Sequence, residues 1–401
     1  MLNICIISRE YPVETGWGGI GNYTYYLAHA LSATGCEVHV ITQSLDIDKD
    51  YLDGKVYVHR VAHKTILPLK GNLRELCLRL EYGRTVYIKL KEIMKKFRID
   101  IVEAPNLSAE GFFYSLFRKT PLVTRLHTHF SEVIEFSHWP KTIDRHLSCL
   151  LEEAAILRSD LVTCSTRFHA ETVFGEIGPS KQKIEIIPLG VPLPQINEDY
   201  KHREGRSPVV LFVGRLEKRK GAHILIKAIP HVLKKCPEAT FNIIGRDTFL
   251  SRDAISFSGD ESISFKLKLI DQIPDEFRKN VNFLGHVERQ DLNKYYNDCD
   301  IFVAPSLYES FGLIYIEAMA HAKPVIGCGV GGVPEVIEDG VSGILVPPED
   351  HISLAKNIMA LIGNNALRKS LGEKAREKVE NSFTDTVMAE RTLNAYKKIL
   401  N

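Results

Sequence analysis

The sequence has almost no excess of either charge, no long apolar run and no paired cysteines, and each shortage removes a class of protein. Lys plus Arg number 51 against 50 Asp plus Glu, a formal charge of +1. Without a net positive field there is little to displace counterions from a nucleic acid, so neither DNA nor RNA is an expected partner. No stretch approaches the roughly 20 apolar residues of a membrane span, and the apolar start from Met1 to Ile7 meets Arg9 and Glu10 almost at once. Neither a signal peptide nor a transmembrane helix is expected, and the predicted location is cytoplasmic. The eight cysteines (Cys5, Cys36, Cys77, Cys149, Cys164, Cys236, Cys299 and Cys328) never form Cys-x-x-Cys and mostly lie inside apolar runs. They read as buried thiols of a reducing compartment.

What is present is the material of a folded α/β protein. With 401 residues, 44% of them hydrophobic and 25% charged, the chain can furnish a core for two or three domains. Short apolar runs alternate with longer amphipathic stretches, the pattern of strands and helices wound into mostly parallel sheets. The first half predicts strands near 2–8, 37–42, 56–61, 99–104, 121–126, 160–165 and 184–188. A second series begins afresh near 208–214, 239–245, 281–284, 301–305, 324–328 and 343–346, with helices near 220–235, 290–298, 312–321, 352–362 and 366–381. Between the series, Gly190 to Pro194 and a polar stretch to Pro208 have linker composition. Two doubly wound sheets would then flank a cleft lined by the carboxyl ends of their strands, where such folds bind ligands.

The most informative segment runs from Ser306 to Ala320. A buried strand ends at Pro305, a loop follows, and a helix starts near Gly312. A helix start offers unpaired N–H groups and partial positive charge, so a phosphate can rest against Ser310, Phe311, Gly312 and Leu313. Residues eight apart in one helix point about 80° apart, so Glu309 and Glu317 share a site only if Glu309 lies in the preceding loop. Glu317 would then suit the two hydroxyls of a ribose, and Glu309 the group beyond the phosphates. Glu-x7-Glu is weak by itself; its place between strand and helix gives it weight. A second cluster, Gly214-Arg215-Leu216-Glu217-Lys218-Arg219-Lys220-Gly221, follows the strand Val209 to Val213. Arg215 and Lys220 there can neutralise a diphosphate, whereas Lys218 and Arg219 are expected to be solvated loop residues.

Together these segments resemble the retaining glycosyltransferases of family 4, the group 1 enzymes with two Rossmann-like domains (the GT-B fold), which transfer sugars from nucleotide diphosphosugars. The resemblance covers essentially the whole chain. Val330-Gly331-Gly332-Val333-Pro334-Glu335 and the segment from Gly340 to Val346 also look like that family's second domain. It implies an acceptor-binding domain over 1–190 plus about 385–401, a linker over 191–207 and a donor domain over 208–384. By the same resemblance, Arg215 and Lys220 hold the diphosphate, Phe311 to Leu313 meet it through backbone N–H groups, Glu317 takes the ribose and Glu309 the donor-sugar hydroxyls. Gly285-His286-Val287 would approach the base, Gly18 and Gly19 would lie over phosphates and acceptor, and His127 would stand beside the donor sugar.

The implied activity is transfer of a hexose, with glucose as first candidate, from a UDP-sugar to a saccharide or lipid-linked acceptor. Polysaccharide, cell-envelope or glycolipid synthesis would be its setting. No metal or other cofactor is expected, because two cations and a helix start take the diphosphate's charge. Two alternatives stay open: a UDP-sugar 2-epimerase of the same fold, and a non-catalytic nucleotide-sugar-binding protein. Between Arg60 and Arg98 stand eleven basic residues against three acidic ones; this basic stretch is either a solvated helix face or a contact for an anionic membrane.

Other signals are set aside. Gly16-Trp17-Gly18-Gly19-Ile20-Gly21 fits the dinucleotide fingerprint but lies well beyond its strand, and the second strand ends without an acidic residue. Asp46-x-Asp48-x-Asp50 begins like a calcium loop but lacks the turn glycine and the closing glutamate, so it is expected to be a polar loop. Asp298-Cys299-Asp300 precedes a buried strand rather than following one. His127, His129 and His138 lack a further zinc ligand at a known spacing.

Overall fold

The computed structural model describes residues 2–16, 18–62, 73–136, 139–177, 183–195, 207–247 and 264–400. It divides into one unit of Met1–Pro192 with Thr384–Asn401, and a second of Leu193–Phe383. The expected linker falls mostly in 196–206, outside the described residues, as does His138.

In the first unit, strands β1 (Asn3–Ile7), β2 (Glu37–Ser44), β3 (Lys49–Asp53), β4 (Val56–Ala62), β5 (Ile101–Pro105), β6 (Leu122–Arg125), β7 (Leu161–Cys164) and β8 (Lys183–Ile186) form one sheet in the order β3-β4-β2-β1-β5-β6-β7-β8. Its helices are α1 (Gly19–Ala33), α2 (Arg74–Lys96), α3 (Phe112–Leu116), α4 (Phe130–Phe136), α5 (Ile143–Leu157) and α6 (Arg167–Ile177). In the second unit, β9 (Val209–Val213), β10 (Thr240–Ile244), β11 (Val281–Gly285), β12 (Ile301–Ala304), β13 (Val325–Cys328) and β14 (Ile344–Val346) follow the order β11-β10-β9-β12-β13-β14. Its helices are α7 (Ala222–Leu233), α8 (Phe265–Asp271), α9 (Arg289–Asp298), α10 (Leu313–Ala320), α11 (Val333–Val336), α12 (His351–Gly363) and α13 (Asn365–Ser382), after which α14 (Asp385–Leu400) returns to the first unit.

Val-Val-Leu-Phe-Val of β9 shows why the strands are parallel and central. Apolar residues at every position suit a strand covered on both faces, and β9 pairs in parallel with β10 and β12. Phe212 packs with Ile224, Leu225 and Ile229 of α7 and with Leu354 and Ile358 of α12 in one core. Each such side chain contributes roughly 1.5–3 kcal/mol on burial. In the first unit the core gathers Cys5, Ile7, Val102 and Leu122 from the sheet with Val86, Leu90 and Ile93 of α2. Helix α14 packs on α1, and Tyr396 of α14 and Tyr23 of α1 both donate to the buried Glu103 of β5, at 2.6 and 2.8 Å.

Two expectations are corrected here. Asp50 belongs to the edge strand β3, antiparallel to β4 through the two-residue turn Gly54-Lys55, and not to a loop. A polar, largely exposed strand carries no apolar period, so only the Asp53-Gly54 turn signal marked it. The basic stretch also shrinks. Arg60 lies 1% exposed, donating to the carbonyls of Tyr11, Pro12 and Gln43. Arg79 stacks on Phe130, and Lys89 pairs with Asp50. On α2, Tyr82, Val86, Leu90 and Ile93 face the core, while Arg84, Ile88, Lys91 and Lys95 face outward. Positions 63–72 of the stretch lie outside the described residues. Among the described residues, no helix is long and apolar enough to cross a membrane.

Candidate functional site

The sheet order of the second unit reverses between β9 and β12, and open α/β sheets bind ligands outside the carboxyl ends of the strands at such a switch point. Both motifs singled out in the sequence stand there. After β9, Lys218–Lys220 form one tight turn that ends at Gly221, with φ of +74°. A Cβ on Gly221 would come within 1.8 Å of the Pro305 carbonyl oxygen, so the loop after β9 meets the loop after β12 backbone to backbone. The Leu307 N–H donates to the Arg219 carbonyl at 2.7 Å and ties the same two loops again.

That contact brings five charges together. Lys220 Nζ lies 2.7 Å from Glu309 Oε1, which also accepts from Ser306 Oγ at 3.0 Å. Arg219 donates to Glu217 Oε1 at 2.8 Å and to the Tyr308 carbonyl at 3.3 Å, and lies 3.9 Å from Glu309. Arg215 reaches Glu217 at 3.3 Å with its side chain 57% exposed. Burial opposes ionisation of Glu309, but Lys220 and Arg219 outweigh it and hold the carboxyl below its ordinary range. Glu217 is likewise held low: burial works against the charge, and Arg219 and Arg215 reverse it. Burial pulls Lys220 down in spite of Glu309. Lys218 is exposed as expected, but Arg219 is not a solvated residue: its side chain is 14% exposed and its guanidinium is held by Glu217, Glu309 and the Tyr308 carbonyl. Neither Arg219 nor Glu217 stood out in the sequence, because their partners become visible only when the two loops meet.

Helix α10 points its first turn at this cluster's loop. Gly312, at φ of +93°, forms its N-cap and has no side chain with which to cap it, and a Cβ there would strike the Tyr315 ring at 2.5 Å. A glycine N-cap brings no side-chain oxygen to the first N–H groups, an arrangement that suits an anion. Phe311 is buried with its ring edge-on to Phe383, and Leu313 opens the helix. Glu317, one turn on, accepts from Tyr296 at 2.9 Å; burial pushes its carboxyl up to about 7, against Tyr296 and Arg289. Gly214 closes β9 with its N–H on the Ile244 carbonyl at 2.9 Å. His286 follows β11, two strands away, where it meets Arg246 at 3.2 Å and Glu288 at 3.3 Å; Val287 comes next.

The first unit reverses its order between β1 and β5, and a side chain of its own meets the start of α1. Gly18 caps α1 in extended conformation, and Glu10 Oε2 accepts from the Gly21 N–H at 3.3 Å. A Cβ on Gly18 would lie 3.1 Å from the same oxygen. Glu10 thus lies against the start of α1 beside Gly18, a contact that sequence reasoning missed. After β6, the His127 N–H donates to Asn106 Oδ1 at 2.6 Å and the ring meets Tyr23 at 5.3 Å. Burial, with Arg125 and His169 nearby, keeps that imidazole neutral.

The profile of the Glycosyl transferases group 1 matches residues 195–378, and that of Glycosyltransferase Family 4 matches 17–194. A glycogen synthase of Mycobacterium tuberculosis is 25% identical over 98% of this chain and 94% of its own. Among solved structures, a sucrose-phosphate synthase of Thermosynechococcus elongatus superposes with TM-score 0.80 at 22% identity, covering 100% of this chain and 99% of that one. HepE of Anabaena, solved with UDP and glucose, gives TM-score 0.73 at 20% identity over 99% of this chain and 100% of its own. With both halves matched and the fold of two Rossmann-like units shared, the chain belongs to the group 1 glycosyltransferases with a family 4 amino-terminal half, on the GT-B fold.

Proposed function

We propose that the protein is a retaining hexosyltransferase that uses a UDP-sugar, with UDP-glucose as first candidate, and a saccharide acceptor. The observation that carries this is the cationic group of Arg215, Arg219 and Lys220 beside the glycine-capped start of α10 at one switch point. Support for the donor class comes from HepE, a relative in fold that was solved with UDP and glucose. In this role Arg215, Lys220 and the N–H groups from Phe311 to Leu313 receive the diphosphate. Glu317 takes the ribose hydroxyls, Glu309 the sugar hydroxyls, His286 and Val287 the base, and neutral His127 a hydroxyl of the transferred sugar.

The chemistry needs no carboxylate nucleophile, since Glu309 is already engaged by Lys220 and Ser306. The acceptor oxygen attacks the anomeric carbon on the face from which the diphosphate leaves. The anomeric carbon–oxygen bond breaks as the new one forms, and the acceptor proton passes to the departing phosphate oxygen. Fixed positive charge at the leaving group is the main source of acceleration in such a step, so the reaction proceeds without a metal. On the same reading, the outward Arg84, Lys91 and Lys95 of α2 would meet an anionic membrane that carries a lipid-linked acceptor, each worth about 1 kcal/mol near the surface, with the enzyme acting at the cytoplasmic face.

A calorimetric and donor-hydrolysis panel of UDP-, GDP- and ADP-sugars, with and without chelator, tests this. Tight binding and slow, chelator-insensitive hydrolysis of one UDP-hexose is the expected result. Binding lost with chelator, or preference for another base, would contradict it. Conversion of a UDP-N-acetylhexosamine with no acceptor present would indicate the 2-epimerase instead, and binding without any turnover a non-catalytic protein.

A further inference from the structure

Three strands of the first unit end in polar residues that are buried. Asn106 after β5 is 0% exposed, His129 after β6 is 1%, and His169 in the first turn of α6 is 0%. Glu132 of α4 and Glu152 of α5 join them at 3% and 0%. Burying such groups is costly unless they bond one another, and here the bonds converge on one short segment. The His127 N–H donates to Asn106 Oδ1 at 2.6 Å, and Asn106 Nδ2 donates in turn to Glu152 Oε1. Two residues on, the His129 N–H donates to Glu132 Oε2 at 2.7 Å, and the same oxygen meets His169 Nε2 at 3.0 Å. Both amides around Thr128 are therefore held by side chains rather than by the sheet.

The direction of the chain of bonds is fixed by chemistry. Burial raises the Glu152 carboxyl above its ordinary range, but the His127 N–H can only donate and an asparagine amide has one accepting and one donating end, so the NH2 faces Glu152. Glu152 selects the NH2 of Asn106, which turns the Asn106 oxygen towards the His127 N–H. Reversing the amide would set its oxygen against Glu152 and leave the His127 N–H facing a donor. The backbone at His127 is thus placed by Glu152, 46 residues from Asn106 in sequence, while Tyr23 contacts the ring from α1.

We propose that Asn106 and Glu152 are positioning residues for His127, setting where its imidazole stands in the sugar-transfer step. This rests on the role given to His127 above. Displacing a reacting group by about 1 Å can cost on the order of 100-fold in rate, so the relay matters to turnover beyond its worth to the fold.

The test compares UDP-glucose hydrolysis and acceptor transfer in Asn106→Ala, Glu152→Gln and His127→Ala with a control on the same helix, Asp144→Asn. Asp144 accepts from the N–H groups of Glu75 and Leu76 at 2.8 and 2.9 Å and has no bond to the His127 segment. Asn106→Ala is expected to lower kcat about 10- to 100-fold with donor KM within about twofold. Asp144→Asn is expected to lower Tm without that loss, and Asn106→Ala is expected to add nothing in a His127→Ala background. A kcat loss no larger than the control's at matched Tm, or full additivity with His127→Ala, would overturn the proposal. Should Asn106→Ala not fold, Glu152→Gln carries the same comparison with a smaller loss. If His127→Ala keeps full turnover, it is the role of His127 that fails. The His127 amide resonance in selectively 15N-histidine-labelled protein then decides the positioning claim alone: a shift in Glu152→Gln supports it, and an unchanged position refutes it.

Discussion

The two units reverse strand order in the same way, between β1 and β5 and between β9 and β12, yet their switch points carry opposite electrostatics. In the second unit, α10 starts on a glycine, beside Lys220, Arg219 and the exposed Arg215. In the first, Glu10 lies against the start of α1, and the loops are tied by buried amide and carboxylate bonds. Topology therefore says where a ligand can sit, and the loop residues say what kind. On the proposed function, the second unit's switch point receives the donor's diphosphate, whereas in the first unit Glu10 accepts from the Gly21 N–H of α1 and His127 serves as a neutral imidazole.

The contrast can be broken most forcibly at Gly221. Gly221→Ala must place a methyl group against the Pro305 carbonyl in a left-handed backbone, and it is expected to cost about 3 kcal/mol or more and to lower Tm by several degrees. Thermal unfolding checks this, and UDP binding should weaken with it. If unfolding is unchanged, the backbone contact between the loops is not what holds the anion site.

At Glu317 the expected effect is about tenfold on UDP affinity, on the order of 1.4 kcal/mol, for Glu317→Ala. Its pH dependence has a definite sign. With the carboxyl raised to about 7, the unliganded protein is protonated there below that pH, whereas two ribose hydroxyls require the carboxylate as acceptor. UDP affinity should rise from pH 6 to pH 8, with proton release on binding near pH 6.5; calorimetry in buffers of different ionisation enthalpy measures this. Glu317→Gln should flatten the profile.

The smallest effect belongs to the first unit. Glu10→Gln should cost about 0.3–1 kcal/mol of stability, the usual worth of a carboxylate at a helix start, and leave UDP-sugar hydrolysis unchanged. Should hydrolysis fall tenfold instead, Glu10 touches substrate and the two switch points are less different than described.

Much of this was legible in the sequence, and the exceptions share a cause. The apolar runs of β9 and β12 announced buried parallel strands, and the position of Lys220 and Glu309 after those strands marked two loops that the structure brings within 2.7 Å, because strand, loop and helix start are all local. Edge strand β3 was hidden because exposed residues carry no period. Arg219, Glu217, Glu10 and the Asn106–Glu152 pair were hidden because their meaning depends on what they meet. Arg219 reads as one more loop cation until its guanidinium is found near Glu309, 90 positions away. Glu152 reads as a helix-surface acid until α5 is laid over the end of β5.

The central claim is that fixed charge at the second unit's switch point acts on the leaving group more than on the bound donor. Measuring donor Kd and single-turnover rate side by side for Lys220→Ala tests it most directly. The account predicts a rate lower by about 100- to 1,000-fold with Kd changed by less than about tenfold. Equal losses in rate and affinity, or a rate that stays intact, would contradict it.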